Sequence, residues 1–149
     1  MKRISQQASA VWKSGAKDGV ATVSTSSRSL DKTSFSLGFP KKKVVGTNPS
    51  ELMAAAHASS FSLALIKELG PKAAARGEIN TTSTVSMEMP KDSWTVNSVH
   101  LDVVASLPTL TQGRFIDATI RAKANCVICQ LLRVKISMNA KLEPQLAKA

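Results

Sequence analysis

From Ala8 to Phe39 apolar and polar residues alternate in short bursts: "ASAVWKS", "GVATVSTS" and "TSFSLGF" are separated by Gly15, by Lys17-Asp18-Gly19 and by Ser26 to Asp31. A period of two, interrupted by turn-forming residues, predicts three strands of an antiparallel meander. The basic loop "PKKKVV" follows, and the pattern then changes period. "TNPSE" reads as a helix start, with Asn48 as N-cap, Pro49 at the first position and Glu51 placed to complete a capping box. Gly70-Pro71 closes the segment. Its apolar positions (Leu52, Met53, Phe61, Leu63, Leu65, Ile66, Leu69 and the alanines) surround the helix, so it must be covered on nearly all sides. A sheet covers one side. The alanine-rich surface admits a close second helix or a second subunit on the other.

Beyond "PKAAARGE" stand two long β-type segments, "INTTSTVSMEMP" and "WTVNSVHLDVVASLP", joined as a hairpin through Lys91-Asp92-Ser93. Thr111 is expected to cap a helix containing Phe115, Ile116, Ala118, Ile120, Ala122 and Ala124, and Asn125 a further short helix, "CVICQLLR". A last strand, "VKISMNAKL", ends the pattern. Segregated rather than alternating elements make the fold class α+β, and residues 1–149 read as a single domain without internal repeat.

Composition narrows the function classes. The 149 residues are 43% hydrophobic, enough for a sizeable core. Ala54 to Ile66 is the most apolar stretch, but it carries His57, Ser59, Ser60 and Ser62 and is too short to span a bilayer. "MKRISQQASAVWKS" has no apolar run behind its basic residues, so a secretory leader is not expected and the default compartment is the cytosol. The formal charge of +10 favours anionic ligands at long range. Nucleic-acid binding is not favoured, because the six aromatics sit in apolar patterns rather than among the basic residues. Cys126 and Cys129, three apart in "NCVICQ", lack the second pair of a zinc site, so no metal is assigned. Redox chemistry or simple burial remain for them.

The stretches "GTNPSELMAAAHASSFSLAL" and "RAKANCVICQLL", with the closing "ISMNAKL", resemble the OsmC/Ohr family of osmotically inducible and organic-hydroperoxide-resistance proteins over nearly the whole chain. The resemblance implies antiparallel sheets around two main helices in an intertwined homodimer. It further implies a thiol peroxidase that reduces small organic hydroperoxides at the expense of a dithiol reductant, with no metal or organic cofactor. In such an enzyme a thiolate attacks the O–O bond, becomes a sulfenic acid and is resolved by a second thiol. An arginine lowers the thiol pKa and a glutamate orients the arginine.

Carried over residue by residue, the family's glutamate falls on Glu51 and its second cysteine on Cys126. Its first, peroxide-attacking cysteine falls on Ser60, and its arginine on Gly38, beside Lys41, Lys42 and Lys43. A serine hydroxyl is scarcely ionised at neutral pH and has no sulfenic state, so Ser60 cannot attack peroxide. Surviving thiol chemistry would use Cys126, at the positive end of its short helix, with Cys129 on the same face. The alternatives are that both cysteines are inert, and that the protein binds an apolar or anionic ligand at the dimer interface without catalysis. Val127 also departs from the proline that follows the family's second cysteine; with the missing arginine, this favours natural divergence over a single engineered cysteine-to-serine change as the origin of Ser60.

Ser60 with His57, three apart on a helix, does not make a hydrolase, since the surrounding N–H groups are already bonded within the helix. His57 reads as a hydrogen-bonded structural group, and His100 has no partner that spacing identifies. Glu51 is explained by capping alone. It lies nine residues from Ser60, about 180° around and about 13.5 Å along one helix, so the two do not meet within it.

Overall fold

The computed structural model describes residues 1–13, 20–36, 46–75 and 77–144. The chain forms two compact units, Met1–Leu52 and Met53–Ala149, the boundary falling in the first turns of the long helix. Gly38, Lys41, Lys42 and Lys43 lie outside the described residues.

The first unit contains the expected meander, β1 (Ala8–Val11), β2 (Val20–Thr25) and β3 (Thr33–Ser36), antiparallel and in that order. Among its described residues, Ala21 and Phe35 are the buried apolar ones. Gly46 brings the chain back against β3: its φ is +107°, and a Cβ there would stand 2.2 Å from the Ser34 carbonyl oxygen. Only glycine tolerates that approach. Thr47 then donates its N–H to Ser34 O at 3.0 Å and bridges Phe35, which fixes where the next helix begins.

That helix, α1, runs Pro49–Leu69. Asn48 caps it as expected, Oδ1 accepting from the Glu51 N–H at 2.9 Å. The reciprocal half of the box is displaced by one residue, because the Glu51 carboxylate accepts from the Thr47 hydroxyl at 2.8 Å.

In the second unit α1 buries one stripe, His57, Phe61 and Leu65, spaced four apart. Ala55, Ala56, Ser59, Leu63 and Ile66 form the opposite face and are exposed in the single chain. The short α2 (Pro71–Ala74) leads to β4 (Glu78–Glu88), which pairs antiparallel with β5 (Thr95–Ser106) as the expected hairpin. Gly77 starts it at φ +146°, where a Cβ would lie 2.1 Å from the Ser106 carbonyl oxygen. Two helices follow, α3 (Gln112–Asn125) and α4 (Val127–Leu131), and then β6 (Lys135–Leu142). β6 pairs with β5 in parallel, so this sheet is mixed and not wholly antiparallel. The helical connection carries the chain back to the start of β5, as parallel pairing requires.

The core lies where α1 and α3 meet the inner face of this sheet: Phe61, Leu65, Leu101, Val103, Ala105, Phe115, Ala118, Ala122 and Cys126 are buried together. Thr111 caps α3 as expected, accepting from the Arg114 N–H. Asn125 does not cap α4. It ends α3, and Cys126 is itself the cap, its Sγ accepting from the Cys129 N–H at 3.3 Å. A thiol thus serves where a hydroxyl or carboxylate is usual. Among the described residues no helix is long and apolar enough to cross a membrane.

Glu68 fastens α1 to α3, accepting from Arg121 Nε and from Asn125 Nδ2, both at 2.9 Å. These hydrogen bonds, Arg121 first, hold its carboxyl below the usual carboxylate pKa. A folded-state pKa below the unfolded one gives stability that is present above the ordinary carboxylate range and lost as pH falls through the lowered value. Urea denaturation across pH should find Glu68→Gln less stable than the parent at neutral pH. The difference should shrink on acidification.

Candidate functional site

The site is assembled in the second unit from the middle of α1, the inner face of β4 and the turn joining α3 to α4. On α1, Ser60 and His57 lie one turn apart, and His57 is fully buried. β4 alternates outward and inward residues, which turns Ser83 toward the helix. The α3–α4 turn contributes the buried Cys126 and the half-buried Cys129.

Cys126 Sγ donates to Ser60 Oγ at 3.4 Å. His57 Nε2 stands 3.1 Å from Cys129 Sγ, and His57 Nδ1 stands 3.0 Å from Ser83 Oγ. Two side-chain pairings result, Ser60 with Cys126 and Cys129 with His57 and Ser83, joined by the Cys129 backbone N–H that Cys126 Sγ accepts. The nitrogen and two sulfurs of His57, Cys126 and Cys129 all lie within 4.8 Å of one another.

Burial, with the hydrogen bond to Cys126 adding to it, pushes the Cys129 thiol pKa up to about 12. Burial also lowers the His57 pKa, so the imidazole is neutral at pH 7. A protonated Cys129 donates to Nε2, which leaves the Nδ1–H to donate to Ser83 and selects one tautomer. Every member is hydrogen-bonded. Among the described residues no buried side-chain polar atom is left without a partner.

Of the four residues singled out in the sequence, the structure thus brings together Ser60, Cys126 and Cys129. Glu51 lies in the first unit and is engaged with Thr47.

A family model described as OsmC-like protein matches residues 40–141, a span that includes Ser60, Cys126 and Cys129. The chain belongs to the OsmC-like protein family. It is 31% identical over 140 residues to peroxiredoxin OsmC of Escherichia coli strain K12, covering 94% of this chain and 98% of that protein. Among solved structures, an OsmC-like protein of unknown function from Vibrio cholerae superposes with a TM-score of 0.74 at 15% identity, over 93% of this chain and 100% of that one. The organic hydroperoxide resistance protein OhrB of Bacillus subtilis does so at 0.65 and 16% identity, over 94% and 98%. The mixed α+β architecture is thereby that of OsmC/Ohr proteins.

Within this OsmC-like site, two partnerships escape a linear reading. His57 reaches Cys129 across 72 residues and Ser83 across 26, and no local spacing announces either. His100 does have partners: Ser137 Oγ at 2.6 Å across β5–β6, Asn139 at 3.2 Å and Asp102 at 3.3 Å. Asp102 was legible, because residues i and i+2 share one face of a strand. This Ser–His–Asp group lies on the outer polar face of the sheet, across β5 and β6.

Proposed function

We propose that this OsmC/Ohr-like protein is a stress protein in which hydroperoxide reduction at the family's reactive position has been lost. Its remaining thiol chemistry is confined to Cys126 and Cys129. The observation that carries the reading is the 3.4 Å approach of Cys126 Sγ to Ser60 Oγ. The positions of the family's two cysteines face each other at a distance suited to a sulfur pair, and one of them holds oxygen. A hydroxyl there can neither attack an O–O bond as a thiolate does nor be resolved as a disulfide. The neutral Cys129 thiol does not replace it, since the thiolate is the nucleophile.

The test is consumption of cumene hydroperoxide with dithiothreitol as the dithiol. No turnover above the protein-free rate is expected. Turnover that disappears in Cys126→Ser would overturn the reading and assign the activity to the remaining cysteines.

The protein is further proposed to work as a cytosolic homodimer, with Met1 to Ala149 folding as one OsmC-like domain. Support comes from the face of α1 bearing Ala55, Ala56, Ser59, Leu63 and Ile66, where Leu63 is 69% and Ile66 42% exposed. Small side chains flanking two large apolar ones suit a second copy of the same helix. Leu63→Lys should convert a dimer into a monomer in sedimentation velocity runs at micromolar concentration. An unchanged sedimentation coefficient would place the dimer contact elsewhere.

A further inference from the structure

We infer that His57, Cys126 and Cys129 form a binding site for a zinc-class divalent ion, held by two thiolates and one imidazole. The inference goes beyond the proposed function and does not depend on whether hydroperoxide is turned over.

The donor set is the first ground. Two sulfurs and an imidazole nitrogen suit zinc, and the absence of any carboxylate from this trio disfavours calcium and magnesium. "NCVICQ" has no second cysteine pair beside it in the sequence to complete a zinc site; the third ligand comes from α1, 72 residues from Cys129.

Geometry is the second ground. With Zn–S about 2.3 Å and Zn–N about 2.0–2.1 Å, tetrahedral donors stand about 3.5–3.8 Å apart. The three atoms already lie within 4.8 Å, and the His57 and Cys129 donors are 3.1 Å apart. The His57–Cys129 pair would open by a few tenths of an ångström, and the other separations would close by about 1 Å at most. Three protein ligands leave a fourth position for an oxygen ligand, and the Ser60 hydroxyl stands 3.4 Å from one of the three, Cys126 Sγ.

The groups behind the ligands are the third ground. Ser83 accepts from Nδ1–H and so presents the unprotonated Nε2 to the site, the arrangement in which a metal-binding imidazole is held. The Cys129 N–H already points at Cys126 Sγ, where it would stabilise a thiolate. Binding one ion displaces the two thiol protons to solvent, and two thiolates balance the ion's charge. A chain of formal charge +10 thus takes up a cation without adding to its positive charge at this point.

The experiment uses the full chain, reduced and stripped with a chelator, and titrated with Co2+ and then Zn2+. One equivalent of Co2+ should produce a thiolate-to-cobalt charge-transfer band in the near ultraviolet and intense tetrahedral bands in the visible, both bleached by one equivalent of Zn2+. Cys129→Ser should weaken the charge-transfer band and Cys126→Ala should do the same, with far-ultraviolet circular dichroism verifying that each variant is folded. Ser83→Ala keeps every ligand and should lower Zn2+ affinity by about 10-fold or more. No charge-transfer band in the folded parent would overturn the inference. So would a band that survives in both cysteine variants. The hydroperoxide assay is independent of these readouts, so failure of either reading is seen separately.

Discussion

Ser60→Cys is expected to consume cumene hydroperoxide with dithiothreitol, where the parent is proposed to leave it untouched. The substitution places sulfur beside Cys126, whose Sγ is 3.4 Å from the present oxygen, and the longer C–S bond shortens the gap toward disulfide distance. The steps then balance within the site. The new thiolate attacks the peroxide, the O–O bond breaks, and the alcohol leaves with a proton. Cys126 condenses with the resulting sulfenic acid, releasing water, and the dithiol reduces the disulfide. An ordinary cysteine is a few per cent thiolate at neutral pH, enough for turnover that is measurable but slower than a thiol held ionised by an arginine. In Ser60→Cys/Cys126→Ser, the sulfenic acid should persist and be captured by dimedone, seen as a mass adduct on residue 60. Failure of both variants to react would mean that the site lacks more than sulfur.

Truncating the neighbouring side chain should have the largest effect on stability. Phe61 is fully buried, one residue beyond Ser60 and one turn from His57, among Leu65, Leu101 and Phe115. Phe61→Ala removes a ring from a close-packed region that α1, α3 and the sheet hold rigidly, so the space collapses only in part. A loss of about 3–5 kcal/mol is expected in urea denaturation. The same variant should loosen the Cys126–Ser60 contact. Leu63→Ala, two residues further along the exposed face of α1, removes a comparable amount of apolar surface but should cost the single chain little. The contrast measures how one-sided the helix is within one chain.

The strands were legible because each alternates with a period of two, and α1 because Asn48, Pro49 and Gly70 mark its ends. Direction is a different matter. A period of two looks the same read either way, so nothing in "VKISMNAKL" told that β6 would run parallel to β5. The cap of α4 was misread for a chemical reason: Asn125 belongs to the residues that usually cap and Cys126 does not, yet the thiol of Cys126 is the group that meets the Cys129 N–H. At the site, the family motifs located Ser60 and Cys126. The imidazole completing the cluster was visible as His57, but its partners depend on how α1 lies on β4 and against α4, which only the folded chain specifies.

The parallel seat of β6 also bears on how the chain is made. β5 is the central strand of its sheet, and its inner row of Val99, Leu101, Val103 and Ala105 is buried in the finished fold. Once both have emerged from the ribosome it can pair with β4, but its other edge stays open until α3, α4 and Lys135 to Leu142 have folded back. For that interval the nascent protein presents an unpaired, strongly apolar strand edge, the kind of surface that recruits chaperones or captures another chain. A chain ending ahead of Lys135 would keep that edge open permanently, whereas one ending before Thr95 would never form it.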